Sequence, residues 1–163
     1  MNVFCLRGAG RICREAVLDL VEFPSFERIA IADINREEGE RLAATIDDQR
    51  VDSLFVDVRS QEPTVASMRG YDVVMDGTPI ALNGISTACI AEAGCLGINL
   101  NGFGEETASD AAFRKQGKSC VPGFGMTSGT TQMMAMYAAD RMETVETVRV
   151  SRGGKPCPSK VYF

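Results

Sequence analysis

Short apolar runs alternate with stretches of helical periodicity along the chain, the pattern of a parallel sheet crossed by helices. Val3 to Leu6 is a continuous apolar run, as a strand buried on both faces requires, and it ends in Arg7-Gly8-Ala9-Gly10. Cys13, Ala16, Val17, Leu20 and Val21 then recur at spacings of three and four, with Arg11, Arg14, Glu15, Asp19 and Glu22 between them. That spacing predicts an amphipathic helix, closed by Pro24 and Ser25. Arg28 to Asp33 reads as the second strand. Asn35 reads as the N-cap of a second helix, whose first turn holds Arg36, Glu37 and Glu38 and which runs to about Ile46.

The alternation continues. Val51 to Val58 predicts a third strand, Glu62 to Arg69 a short helix, and Tyr71 to Met75 a fourth strand ending at Asp76-Gly77-Thr78-Pro79. Leu82, Ile85, Cys89 and Ala93 form a helical face stopped by Gly94. A fifth strand follows at Leu96 to Leu100, then a helix from about Glu106 to Gln116 and a sixth strand at Ser119 to Val121. Beyond the glycine-rich stretch Pro122 to Gly129, a last helix carries Met133, Met134, Met136 and Tyr137, expected to fill a core. Val145 to Val150 is expected to be a final strand. Residues 1–150 are therefore read as one α/β domain, doubly wound, with a mostly parallel sheet and helices on both faces. Residues 151–163, polar and broken by Pro156 and Pro158, read as the start of a linker.

Composition narrows the function. At 163 residues, 45% hydrophobic and 24% charged, the chain has the size and make-up of one globular domain. The net charge of -5 offers no positive field for nucleic acid or an anionic membrane surface, and neither is expected as a partner. No run approaches the roughly 20 apolar residues of a membrane span, and the first residues lack the basic flank and cleavage site of a signal peptide; a cytoplasmic location is expected. Histidine is absent, which removes Ser-His-Asp and Cys-His catalysis and every imidazole-ligated metal. The six cysteines contain no C-x-x-C pair and are expected to be small buried hydrophobes, with no metal site.

Candidate chemistry gathers where strands end. Gly8-Ala9-Gly10-Arg11-Ile12-Cys13 stands between strand and helix where the dinucleotide fingerprint G-x-G-x-x-G belongs, with Cys13 in the third glycine's place. Gly8 permits the tight turn and Gly10 lets backbone approach a pyrophosphate, which the helix's free N–H groups and positive dipole end would hold. Asp33 lies 20 residues past Cys13 at the end of the second strand, matching the roughly 20 at which an acid meets the adenosine ribose. An acid there favours NAD, whereas Arg36 three residues on could meet the 2′-phosphate of NADP, so the coenzyme is read as NAD or NADP. Asn35 belongs to the same turn. Asp57 and Val58 are expected beside the adenine, and Gly77, Thr78 and Pro79 beside the pyrophosphate and nicotinamide ribose. Two glycine-rich turns, Asn101 to Glu105 and Gly123 to Gly129, share that edge of the sheet.

These segments resemble a known family. Gly8 to Ile12, the strand ending at Asp33, Asp72-Val73-Val74, Glu92-Ala93-Gly94 and above all Val121 to Gly129 are similar to the N-terminal, coenzyme-binding domain of saccharopine dehydrogenase-like oxidoreductases, over residues 1 to about 154. The resemblance implies a Rossmann-type fold binding NAD or NADP, with a second domain supplying most of the site for an amino-acid-derived imine or secondary amine. The implied reaction is hydride transfer between C4 of the nicotinamide and the C=N carbon. The chain departs from the family pattern at Cys13 and in the late loop, where Ser128-Gly129 replaces a proline-glycine pair and Gln132 stands near the usual asparagine. The substrate domain is absent from this sequence, which leads us to expect exposed apolar surface and a homo-oligomer. No catalytic residue emerges: Glu105 and Glu106 lie on the ligand edge, but a helix start attracts acids for dipole reasons alone. The alternative is a stand-alone NAD(H)-sensing regulatory module without catalysis.

Overall fold

The computed structural model describes residues 1–102, 104–125 and 129–150. They fall into two compact units, Met1–Phe124 and Gly125–Phe163. In chain order the first unit contains β1 (Asn2–Leu6), α1 (Cys13–Val21), β2 (Arg28–Asp33), α2 (Arg36–Ile46), β3 (Val51–Phe55), α3 (Gln61–Met68), β4 (Val73–Asp76), α4 (Asn83–Ala93), β5 (Leu96–Asn99), α5 (Asp110–Lys115) and β6 (Cys120–Val121). Tight 3-10 turns at Ile80–Leu82 and Glu105–Ser109 introduce α4 and α5. The helix expected from Glu106 thus begins as a 3-10 turn and is α-helical only from Asp110. The third strand ends at Phe55, short of the expected Val58.

All strand pairings are parallel, and the order across the sheet is β3-β2-β1-β4-β5-β6. This is the doubly wound, Rossmann-type arrangement expected from the alternating pattern. Side chains of period two feed two cores. Val3, Cys5, Ile29 and Ile31 pack on one face with Val17 of α1 and Leu42 of α2. Phe4, Leu6, Ala30, Ala32 and Val74 pack on the other with Val65 and Met68 of α3, Cys89 and Ile90 of α4, and Phe113 of α5. The chain leaves β1 toward one face and β4 toward the other. Between their carboxyl ends a crevice opens, the place where open α/β sheets bind ligands.

One close contact sets the width of that crevice. The start of α1 meets the end of β4 where Cys13 lies against Gly77: a Cβ built on Gly77 would stand 2.1 Å from Cys13 Sγ and 3.6 Å from a methyl of Leu100. The buried thiol contacts the Leu6 carbonyl at 3.8 Å. The sulfur at the fingerprint's third position is therefore accommodated by a glycine on the facing strand end. The other described cysteines are also free, with Cys5, Cys89 and Cys95 buried.

The second unit contains α6 (Thr131–Ala139). Its large apolar residues are not core, contrary to expectation: Met133, Met134, Met136 and Tyr137 are each 59–66% exposed. Residues 145–150 form no strand; Val145, Val148 and Val150, with Met134, Ala138 and Met142, line an apolar groove of about 450 Å³. A strand needs a ladder partner, and the described residues of this unit provide none. Phe103, residues 126–128 of the late glycine loop and the expected linker 151–163 lie outside the described residues.

The Cys13–Gly77 contact yields a prediction. Gly77→Ala puts a methyl into the sulfur and should destabilise the chain by about 1–3 kcal/mol. Adding Cys13→Ala should recover a large part of that loss. Urea denaturation of the two single variants and the double variant measures the coupling; additive effects would contradict the contact.

Candidate functional site

The Gly8–Ile12 loop leaves β1 through a left-handed residue, Arg7, at φ 59°. The turn closes with the Gly10 N–H donating to the Arg7 carbonyl at 2.9 Å, while the Gly8 N–H reaches the Ala32 carbonyl at 3.1 Å. A side chain at Gly8 would collide with the Cys5 carbonyl at 2.7 Å and with the Ile31 backbone at 3.1 Å, so only glycine fits between β1 and β2. Gly10 is likewise crowded, 3.0 Å from the Arg7 carbonyl oxygen. Ile12 stands at the N-cap of α1 with no side-chain cap; the Arg14 N–H donates to the Gly10 carbonyl at 2.8 Å and the Glu15 N–H to the Ile12 carbonyl at 3.2 Å, so no side chain covers this helix start. Arg11 and Ile12 are exposed at this helix start.

Asp33 ends β2 beside this loop and is only 7% exposed. One carboxylate oxygen accepts the Ala9 N–H at 3.2 Å and the other the Asn35 N–H at 2.9 Å. The acid thus ties the glycine loop to the start of α2. Asn35 caps that helix as expected, its side chain accepting the Glu38 N–H at 3.2 Å. Arg36 is exposed and lays its guanidinium over the Phe55 ring, 5.4 Å from the centroid. Phe55 at the end of β3 is 53% exposed, a large aromatic left on the ligand edge.

The residues expected beside the adenine divide. Asp57 is partly exposed and bound by Arg59 at 2.7 Å, and that hydrogen bond holds its carboxyl below the usual carboxylate range. With Phe55, Val56 and Thr64 it lines a cavity of about 180 Å³. Val58 is buried in the core and does not line that cavity. Sequence reasoning named Asp57 and Val58 as the end of the third strand on the ligand edge, whereas that strand ends at Phe55.

At the other side of the crevice Gly77 lies against α1, and its N–H reaches the Leu6 carbonyl at 3.1 Å. Pro79 is exposed, whereas Thr78 is buried and turned inward. The Thr78 N–H donates to Asp76 at 2.9 Å and its carbonyl accepts from the Asn101 side chain at 2.8 Å. The structure therefore brings Gly8 to Ile12, Asp33, Asn35, Gly77 and Pro79 to one edge, with Arg36 and Phe55 on the far side of Asp33.

Beneath Thr78 lies a buried polar cluster that the sequence did not reveal: Asp76, Asn83, Ser86, Thr87, Asn99 and Glu106. Asp76 and Asn99 end β4 and β5. Asn99 donates to Asp76 at 3.0 Å and to Asn83, and Asn83 donates to Glu106 at 2.9 Å. Glu106 also accepts the Gly104 N–H at 3.2 Å. Burial pushes the Asp76 carboxyl upward against the pull of its hydrogen bonds. The one available signal was two strands in succession ending in a polar residue, which a short sequence motif does not distinguish from a solvated loop.

Comparison with known proteins agrees with this geometry. Residues 4–122 match the family described as saccharopine dehydrogenase NADP binding domain. Among solved structures, the chain is similar to saccharopine dehydrogenase (L-Glu forming) from Saccharomyces cerevisiae, with a TM-score of 0.74 and 15% identity over 86% of this chain and 31% of that one. It is also similar to triphenylmethane reductase from Citrobacter sp., solved with NADP(H), with a TM-score of 0.56 and 15% identity over 85% of this chain and 55% of that one. A Rossmann-fold NAD(P)-binding family protein from Shigella flexneri gives 0.53 and 18% over 74% and 64%. At these identities the structural likeness concerns the fold, and the chain spans less than two thirds of each of these proteins. With the family match covering most of the chain and the fold agreeing with it, this chain belongs to the saccharopine dehydrogenase NADP-binding domain family.

Proposed function

We propose that the crevice between β1 and β4 binds a nicotinamide dinucleotide, and that the chain is the coenzyme-binding part of an oxidoreductase acting on a C=N or CH–NH bond of an amino-acid-derived substrate. The observation that carries the reading is the convergence, at the reversal of strand order, of a glycine turn, an uncapped helix start and a strand-end acid. Gly8, Ala9 and Gly10 would let the pyrophosphate come close to the backbone of the turn, and the backbone N–H groups of Arg11 and Ile12 at the helix start would hold it. Asp33 and Asn35 lie toward the adenosine ribose. Phe55 and Arg36 offer an aromatic face and a cation toward the adenine half, and Asp57 borders the adjacent cavity. Gly77, Thr78 and Pro79 would border the nicotinamide half.

When bound, the nicotinamide supplies or accepts the hydride, and the work of this chain is to hold it against the sheet edge and keep water from one side of its ring. A further domain covering residues past 150 would supply the substrate's contacts and the proton. Residues 1–150 are proposed as the coenzyme domain and 151–163 as the connection to that further domain. The exposed methionines of the second unit support such a covering, because apolar surface of this extent marks a contact face.

Calorimetric titration with NADH and NADPH tests the proposal. At least one should bind, and the double variant Gly10→Trp/Asp33→Ala, which fills the turn and unties the loop, should weaken binding by about 100-fold or more while circular dichroism stays native. Absence of binding to the folded wild-type chain would refute the reading. Arg36→Ala should weaken NADPH about five- to tenfold and leave NADH nearly unchanged if Arg36 meets the 2′-phosphate; equal losses would deny it that role.

A further inference from the structure

Asp76 is fully buried at the end of β4, beside the strand-order reversal. Its Oδ1 accepts the Thr78 N–H at 2.9 Å, and its Oδ2 lies against Ser86 Oγ and the Asn99 amide. No lysine or arginine forms an ion pair with it among the described residues. An isolated buried carboxylate is costly, and here it faces polar groups of fixed hydrogen count.

The hydrogens can be assigned. Ser86 accepts from the Thr78 hydroxyl at 3.3 Å and has one hydroxyl hydrogen of its own, while its oxygen contacts both Asp76 Oδ2 and the Asn83 carbonyl, the latter at 3.0 Å. A carbonyl and a carboxylate only accept, so with Asp76 ionised one of these contacts has no hydrogen. With Asp76 neutral, its O–H donates to Ser86 and Ser86 donates to the Asn83 carbonyl; both are satisfied. From the same acid the order spreads outward. Asn99 accepts the Asn101 N–H at 2.8 Å, Asn101 donates to the Thr78 carbonyl at 2.8 Å, and the Asn101 carbonyl accepts the Gly123 N–H at 2.7 Å.

We propose that Asp76 is a positioning residue of the crevice, acting as a neutral carboxylic acid that donates to Ser86 and locks the strand-end turns 77–79 and 99–101 into one arrangement. The positioning half rests on the coenzyme reading above; the proton assignment does not. The titratable groups facing Asp76 leave it neutral. Cys13 of α1, Cys89 of α4 and Cys120 of β6 are thiols pushed by burial to about 12, 11 and 11, so they stay uncharged. Arg7 from the glycine turn and Asp33 of β2 act on Cys13. Glu106, beyond Asn83, is satisfied by its own donors.

The sign of the pH dependence follows. Below about pH 4 the carboxyl is neutral in folded and unfolded chain alike; as pH rises above that, only the unfolded chain ionises, so stability falls until the raised folded value is passed. The experiment compares wild type with D76N, whose amide replaces the O–H donor, by urea denaturation from about pH 4 to pH 9. Wild type should lose stability relative to D76N as pH rises, and the Asp76 carboxyl carbon should keep its protonated NMR position at pH about 7. A wild type that gains on D76N with rising pH, or a carboxylate resonance at that pH, overturns the assignment.

Titration with NADH and NADPH tests the positioning. D76A should weaken binding about tenfold and D76N should restore it to within about threefold. If D76A does not fold, S86A, which removes the proton's acceptor, takes its place. Wild-type binding unchanged in both D76A and S86A overturns the positioning role alone. Failure of folded wild type to bind either coenzyme overturns that role together with the coenzyme reading.

Discussion

The sulfur of Cys13 resting on Gly77 governs the distance between the first turn of α1 and the end of β4. Those two elements depart to opposite faces of the sheet, and the gap between them is the candidate site. In the dinucleotide fingerprint a third glycine lets the helix approach its own strand; here the glycine stands on the neighbouring strand and the helix carries the side chain. The requirement concerns the pair, because one of two facing positions must lack a Cβ. Gly8 meets the same demand between β1 and β2, where the Cys5 carbonyl leaves no room. The crevice is thus framed by two absences of side chain, and its walls are backbone.

Backbone walls must be kept in place by something other than apolar packing. On the β2 side Asp33 does this, accepting one N–H from the glycine loop and one from the α2 start. On the β4 side the corresponding turn is held by Asp76, Asn99 and Asn101. The two acids differ in surroundings: Asp33 faces backbone donors at the rim, while Asp76 faces hydroxyls and amides below it. Buried polar groups are tolerated only when each finds a partner, so the network beneath Thr78 admits few alternative arrangements.

The fold was legible because its signals are local and repeated. Continuous apolar runs marked strands covered on both faces, spacings of three and four marked α1 and α4 with little error, and the Asn35 cap marked α2. The fingerprint and Asp33 were legible for the same reason, being set by chain geometry over some twenty residues. The end of the third strand was placed too late, at Val58 instead of Phe55, because a buried apolar residue looks the same whether it extends a strand or begins the next turn. The methionines of α6 misled for a related reason: an apolar helix face says that it wants cover, not that this chain provides it. The Asp76 network was illegible in principle, since its members come from β4, α4, β5 and the turn after it. Only the sheet order brings them together.

This division of labour bears on coenzyme choice. A strand-end acid that serves only to greet a ribose can be exchanged without cost to the fold. Asp33 is engaged on both oxygens by backbone N–H groups and is nearly buried, so its charge is already committed to the loop. What faces outward next to it is Arg36 on Phe55, an exposed cation that forms no ion pair among the described residues. Such a guanidinium, stiffened by stacking, is suited to a phosphate oxygen through its planar fork. The acid therefore secures the architecture of the proposed site, and we propose that discrimination between the two coenzymes falls to the arginine three residues beyond it.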